Sequence, residues 1–150
     1  MYSFDYQRPT DRAAAVSAWR GDARYLAGGQ SLVQAMKLRL ASAERLVDLG
    51  ALRDLKSIQV GNNTVTIGAM TTHAEVASSP DVQRVLPALA ELAGGIGDPM
   101  VRNRGTLGGS IANADPAACY PAGLLGLGAT VQTDRRNMAA DDFFTGLYET

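Results

Sequence analysis

The 150-residue sequence is poor in the residues that carry most protein-based chemistry. It contains one cysteine and one histidine, and its net charge is -1. A single cysteine excludes an internal disulfide and an all-cysteine metal site, and a single histidine excludes a histidine-rich one. The near-neutral charge, with no basic run, argues against electrostatic binding of nucleic acid. No nucleophile–base set is evident, so any chemistry is expected to come from a cofactor.

The sequence shows no pattern typical of an export signal or of a membrane span, so neither is expected. No apolar stretch approaches the length of a membrane span. Residues 1–5 lack the charged segment and the following apolar segment that an export signal needs. The hydrophobic content of 46% and the charged content of 19% are ordinary for a globular protein. The expectation is a cytoplasmic protein of one domain or two small subdomains.

Two glycine-rich stretches are the most informative features that the sequence does contain. Residues 26–33, the first glycine loop, read Leu-Ala-Gly-Gly-Gln-Ser-Leu-Val, and residues 105–110, the second glycine loop, read Gly-Thr-Leu-Gly-Gly-Ser. Glycine permits positive φ and lets backbone N–H groups approach a ligand closely, which suits phosphates and ribose hydroxyls. Either stretch alone is more often a structural turn.

Hydrophobic periodicity predicts a β-α-β-α-β unit around the first glycine loop. Strands are predicted at residues 2–6, 24–27 and 45–49. One helix is predicted after Thr10 or Asp11, with Ala13, Val16 and Trp19 on its apolar face. A second is predicted from Ser31, with Met36 and Leu40 on its face. The first glycine loop then joins a strand to a helix N-terminus, an arrangement that binds anions.

The rest of the chain is predicted to mix hairpins and helices. Strands at residues 58–60 and 64–67 flank a turn, and Thr72 with Glu75 has capping-box spacing. A helix is predicted from Pro80 to Gly94, and a buried one over residues 117–127, with Asp115 as a cap. A strand at residues 129–133 and a short return at Met138 follow.

The two loops, in this order and spacing, resemble the FAD-binding subunit of the molybdenum hydroxylases, the family of xanthine dehydrogenase and carbon monoxide dehydrogenase. Further matches are Met36-Lys37-Leu38-Arg39, Ile67-Gly68-Ala69-Met70-Thr71-Thr72-His73 and Asp142-Phe143-Phe144-Thr145-Gly146. The resemblance implies an α+β, vanillyl-alcohol-oxidase-like (PCMH-type) FAD-binding fold. Its N-terminal α/β subdomain is expected at residues 1–53 and a second subdomain, around an antiparallel sheet, at 54–150. Family members run well past residue 150, so the second subdomain is expected to be truncated and the chain alone to bind FAD weakly or not at all.

In that family the two loops grip the FAD pyrophosphate from two sides. Carried over to this sequence, the implied cofactor-binding residues are Leu26, Ala27, Gly28, Gly29, Gln30, Ser31, Leu32, Val33, Thr106, Gly108, Gly109, Ser110, Asn113 and Cys119. Cys119 departs from the family, in which many members have an aspartate that contacts the cofactor. A thiol is a weaker hydrogen-bond partner than a carboxylate. We expect Cys119 to be a buried small hydrophobe, as most free cysteines are, and a redox nucleophile is the alternative.

Three other side chains are candidates with a plainer explanation. His73 is interpreted as a first-turn surface or packing residue, because no partner for a general base is evident. Lys37 and Arg39 either approach the diphosphate or face solvent.

The function implied by the resemblance is electron transfer. The chain would pass electrons from the [2Fe-2S] clusters of a small subunit through FAD to an external acceptor such as NAD, oxygen or a quinone. A large subunit with the molybdenum cofactor would oxidise the substrate, and this chain would hold neither molybdenum nor iron. The alternatives are a stand-alone flavin reductase, similar to the enolpyruvyl nucleotide-sugar reductase of cell-wall synthesis, and an interaction module that has lost the cofactor.

Overall fold

The computed structural model describes all 150 residues and begins with a three-stranded parallel sheet. The first elements are β1 (Asp5–Gln7), α1 (Arg12–Ala18), β2 (Ala23–Leu26), α2 (Leu32–Lys37) and β3 (Arg45–Asp48). The strands pair in the order β1-β3-β2, and Leu46 of β3 lies opposite Tyr6 of β1 and Arg24 of β2. The predicted β-α-β-α-β unit is therefore confirmed.

Helices cover both faces of this sheet. Neighbouring residues of a strand point to opposite faces, so adjacent apolar residues of β3 each need a separate partner. Val47 of β3 packs in a cluster with Ala15 of α1, and Leu46 packs in another with Met36 of α2. Both β3 residues are buried, as expected for the central strand of a parallel sheet.

The apolar faces predicted for α1 and α2 are partly wrong. Val16 and Trp19 are about half exposed, and the buried residue of α1 is Ala15. Leu40 is 78% exposed, because Arg39 adopts a positive φ of 61° and α2 ends before Leu40. A sheet of three short strands contacts only a narrow stripe of each helix.

Two 3₁₀ turns, Leu49–Ala51 and Arg53–Leu55, lead into a larger, mainly helical part of the chain. Its elements are β4 (Ile58–Val60), β5 (Val65–Ile67), α3 (His73–Ser78), α4 (Pro80–Val85), α5 (Pro87–Gly94), α6 (Pro99–Arg102), α7 (Leu107–Asn113), α8 (Cys119–Gly126), β6 (Thr130–Gln132), β7 (Asn137–Ala139) and α9 (Ala140–Phe143). The antiparallel strands form two separate two-stranded sheets, β4-β5 and β6-β7. The capping box of Thr72 and Glu75 is present at the start of α3.

Two predicted helices differ from the observed ones. The helix expected from Pro80 to Gly94 is broken between Val85 and Pro87, because proline lacks an N–H and restricts the residue before it. The helix expected from residue 117 begins at Cys119 instead. The Asp115 carboxylate accepts a hydrogen bond from the N–H of Ala117, which forms a turn ahead of α8.

The larger part of the chain has a hydrophobic core of its own. Its buried members are Val76, Val82, Leu89, Ala90, Ala93, Leu107, Ile111, Tyr120, Leu124, Val131, Ala140 and Phe143. None of them belongs to the two clusters on the parallel sheet. Each part buries its own apolar residues, and the polar glycine loops meet between them.

Candidate functional site

The first glycine loop presents a run of free backbone donors. It connects β2 to α2, and the N–H groups of residues 27–31 donate to no acceptor within the chain. Gly29 adopts a φ of +76°, which turns the backbone in a way that favours glycine. Successive free N–H groups in a turned loop form a concave site for an anion.

The second glycine loop is built differently, because it is the start of helix α7. The side chain of Thr106 caps this helix by accepting a hydrogen bond from the N–H of Gly109. The N–H groups of Leu107, Gly108 and Ser110 donate to Thr71, Ala69 and Thr106 carbonyl oxygens. What remains for a ligand is the unbonded N–H of Thr106 and the side chains of Ser110 and Asn113, for which the structure shows no partner.

The two loops touch through a glycine. A Cβ atom added to Gly28 would lie 2.0 Å from the carbonyl oxygen of Arg104 and 2.8 Å from the Cα atom of Gly105. A Cβ on Gly109 would lie 3.4 Å from that of Ala27. The structure therefore brings together the two sets of residues that the sequence analysis selected. The structure also gives a different reason for a glycine at position 28. Because Gly28 has no side chain, the backbone of Arg104 and Gly105 can pack directly against it.

The second glycine loop is anchored to the segment that precedes α3. The N–H of His73 donates to the carbonyl of Gly105, and the N–H of Leu107 donates to that of Thr71. A Cβ on Gly108 would lie 2.5 Å from the Cβ of Ala69. These contacts fix the position of the loop relative to the core of the larger part.

A basic cleft of about 650 Å³ adjoins both loops. Its lining includes Ala27 and Gly28 of the first loop, Thr106 of the second, and the charged side chains Arg8, Asp48, Arg53, Lys56 and Arg104. Four of these charges are positive and one is negative. The structure shows no ion pair for Arg53 or Arg104, whereas Lys56 pairs with Glu75 at 2.9 Å. The cleft concentrates positive charge in a protein whose net charge is -1.

Arg8 and Asp48 are members of this cleft that the sequence analysis missed. They stand at the carboxyl ends of β1 and β3, as the first loop stands at the end of β2. The Arg8 guanidinium lies 3.5 Å from the Asp48 carboxylate, which also accepts a hydrogen bond from the hydroxyl of Tyr6. That bond raises the pKa of the Tyr6 phenol. The signal that could have found them is the rule that ligands bind at the carboxyl edge of parallel strands.

Cys119 is exposed at the first position of α8, so the expectation that it is buried is wrong. Its neighbour Tyr120 is fully buried instead. Because α8 begins at Cys119 rather than at residue 117, the side chain of Cys119 faces outward and that of Tyr120 faces the core. The contact of Cys119 with a cofactor stays a prediction.

The other candidate cations, Lys37 and Arg39, are exposed and do not line the basic cleft. Arg39 places its guanidinium carbon 5.5 Å from the centroid of the Tyr2 ring, and Lys37 is exposed at the end of α2. His73 is buried, which confirms its interpretation as a packing residue. Helices in this structure are too short or too polar to cross a membrane.

Comparisons with known proteins agree on one family. Residues 2–150 match the family described as the FAD binding domain in molybdopterin dehydrogenase. The chain is 44% identical, over 98% of its length, to the carbon monoxide dehydrogenase medium chain of Hydrogenophaga pseudoflava, covering 54% of that protein. It is 41% identical, over 86% of its length, to the nicotine 6-hydroxylase medium subunit of Paenarthrobacter nicotinovorans, covering 47% of it.

Solved structures of such enzymes have the same fold. The reconstituted CO dehydrogenase of Oligotropha carboxidovorans superposes with a TM-score of 0.94 at 42% identity, over 99% of this chain and 55% of that one. Quinoline 2-oxidoreductase of Pseudomonas putida 86 gives a TM-score of 0.94 at 36% identity, over 99% and 54%. The expected PCMH-type α+β fold is confirmed. The chain spans about half the length of the relatives it matches.

Proposed function

We propose that the two glycine loops of this chain together hold the diphosphate of FAD, because the chain belongs to the family of FAD-binding domains in molybdopterin dehydrogenases. The observation that carries the proposal is the run of free N–H groups at residues 27–31, held against the second glycine loop. A diphosphate has oxygens on all sides and needs several donors at once. The N–H of the buried Thr106 adds an unbonded donor at the edge of the cleft.

The residues present fit this cofactor in charge as well as in donors. Arg53 and Arg104 have no ion-pair partner in the structure and line the cleft beside Gly28 and Thr106, so an incoming anion meets uncompensated positive charge. Of the residues implied by the family, Ala27 to Ser31 would offer backbone N–H groups, and Ser110 and Asn113 would offer side chains. Leu26, Leu32 and Val33 would shape the first loop from within, Gly28 and Gly109 would keep the loops in contact, and Gly108 would let the second loop pack on Ala69. By the family resemblance, Cys119 would stand where many family members have a carboxylate.

The chain's own contribution is positional and electrostatic. When bound, FAD supplies the redox chemistry, accepting and releasing electrons. The loops orient the cofactor, and the basic cleft stabilises its phosphates. We further infer that residues 1–53 and 54–150 are the two FAD-binding subdomains, each contributing one loop. The separate hydrophobic clusters on either side support this division.

We place the chain in a multi-subunit oxidoreductase of the cytoplasm. Relatives that span about twice its length are described as medium chains or subunits of carbon monoxide dehydrogenase and nicotine 6-hydroxylase. By that likeness the partners are a large subunit with a molybdenum cofactor and a small subunit with [2Fe-2S] clusters. This chain would receive electrons from the small subunit and pass them through FAD to an external acceptor.

Co-expression of the protein with the two candidate partner subunits tests this assignment. We expect all three to elute as one complex, and we expect the substrate of the large subunit to bleach the flavin absorbance of the complex. A complex without this chain should still reduce an artificial dye at the other subunits but should lose transfer to the natural acceptor. Elution of this chain alone, with a flavin that turns over without partners, would favour the stand-alone reductase.

A further inference from the structure

His73 is a buried side chain that the proposed FAD site does not use directly. Only 5% of the residue is exposed, yet its Nδ1 atom has no hydrogen-bond partner. Its ring lies 5.3 Å from the ring of Tyr120, centroid to centroid, and the Tyr120 hydroxyl is also buried without a partner. Buried polar atoms are normally bonded, so two neighbouring exceptions call for an explanation.

The imidazole of His73 lies directly behind the second glycine loop. A Cβ on Gly105 would lie 2.5 Å from Nε2 and 2.8 Å from Cδ2 of the ring, so the glycine backbone rests on the imidazole. The backbone N–H of His73 also donates to the carbonyl of Gly105. One residue therefore fixes Gly105 twice, through its backbone and through its ring.

We propose that His73 positions the second glycine loop for the cofactor, and that protonation of its imidazole displaces the loop and weakens FAD binding. The inference rests on the proposed function, and the regulator of that site would be the protonation state of His73. Protonation would place a second N–H on a ring whose buried nitrogen faces no acceptor. Such a proton can be satisfied only if the ring moves, and Gly105 rests on that ring.

No neighbouring charge offsets that cost. On α3 itself, Glu75 is engaged by Lys56 and by Thr72. On α6, Arg102 donates to the carbonyls of Ile96 and Gly97. On α4, Asp81 and Arg84 pair with each other, and at the start of α6 Asp98 caps that helix. The remaining ionisable groups on the surrounding elements are Glu91 of α5, Arg104, and Cys119 and Tyr120 of α8. None of them hydrogen-bonds to Nδ1 of the imidazole.

The sign of the pH effect follows from burial. Burial lowers the pKa of His73 below its usual value near 6.5, so the folded chain binds this proton less readily than the unfolded chain does. The contribution of neutral His73 to stability is present above the unfolded pKa and is lost as the pH falls through the lower folded pKa. His73 is the chain's only histidine, the one side-chain type whose ordinary pKa lies between pH 5 and 8.

The test compares FAD affinity at pH 7.5 and pH 5.0 in the wild-type protein and in His73→Leu. We expect the wild-type dissociation constant to rise at least threefold between these values, and that of His73→Leu to stay constant. Tyr120→Phe is the matched control: it removes the other unpartnered group and should keep the wild-type pH dependence. Equal pH dependence in wild type and His73→Leu would overturn the proposal.

A second measurement can be made on the wild-type protein without FAD, so it does not depend on the folding of the leucine variant. It also tests the inference separately from the proposed function. Hydrogen exchange reports protection factors for the amides of Leu107 and Gly108, which hold the second loop in place. In the wild type without FAD we expect these factors to fall as His73 is protonated, and in His73→Gln we expect them not to. Unchanged protection in the wild type would overturn the inference. A protein that binds no FAD at pH 7.5 but shows the protection change would contradict the proposed function alone.

Discussion

Gly28→Ala should abolish tight FAD binding, because one methyl group would separate the two glycine loops. Its Cβ would lie 2.0 Å from the carbonyl oxygen of Arg104 and 2.7 Å from the carbonyl carbon, and a backbone carbonyl cannot rotate away as a flexible side chain can. Overpacking of this kind costs about 1–3 kcal/mol of folding stability. We expect a clear drop in melting temperature and at least about a tenfold rise in the FAD dissociation constant, which corresponds to 1.4 kcal/mol.

The matched control for this change is Gly126→Ala. A Cβ on Gly126 meets nothing within 4 Å, and the residue lies at the end of α8. Alanine is the better helix former, so this variant should keep or slightly raise the melting temperature and should bind FAD as the wild type does. Calorimetric titration of both variants at a temperature where each is folded separates binding from unfolding. Wild-type affinity in folded Gly28→Ala would show that loop contact does not build the site.

Cys119→Asp should tighten FAD binding without loss of stability. The residue is exposed at the first position of α8, where a carboxylate is favoured by the free N–H groups of the helix start. The family resemblance implies an aspartate at this position in many members, and a well-made charge-assisted hydrogen bond contributes about 1.5–3 kcal/mol. We therefore expect roughly a tenfold lower dissociation constant with an unchanged or slightly higher melting temperature.

Cys119→Asn separates the charge from the shape of the new side chain. It can hydrogen-bond to a cofactor hydroxyl but carries no charge, so its affinity should fall between those of the wild type and Cys119→Asp. Thermal unfolding of all three proteins, measured with and without FAD, gives both quantities. Weaker FAD binding by Cys119→Asp would place this position away from the cofactor's hydroxyls, and a collapsed melting temperature would contradict its exposure.

The sequence predicted well those features that depend on local patterns. Alternation of apolar residues located the β4-β5 hairpin and overlapped the start of β1, and the spacing of Thr72 and Glu75 located the capping box of α3. The glycine loops could be selected as a pair because their residue types and order are local properties of the chain.

Features that depend on tertiary contacts were not predictable from those patterns. The burial of Ala15 in place of Val16 depends on how narrow the parallel sheet is. The exposure of Cys119 depends on the turn that Asp115 forms before α8. The contact of Gly28 with Arg104 joins residues 76 positions apart. The sequence of one loop therefore cannot show whether a glycine is needed there for packing against the other loop's backbone or for contact with a phosphate.

The most direct measurement of the central claim is an NMR titration of the ¹⁵N-labelled protein with FAD, and separately with ADP and with riboflavin. ADP carries the diphosphate without the flavin, and riboflavin carries the flavin without a phosphate. If the free amides of the first glycine loop hold the diphosphate, the amide signals of residues 27–31 and of Thr106 will show the largest shifts with FAD and with ADP. Riboflavin will leave them unchanged. Equal shifts with riboflavin, or FAD-induced shifts that spare residues 27–31, would contradict the account.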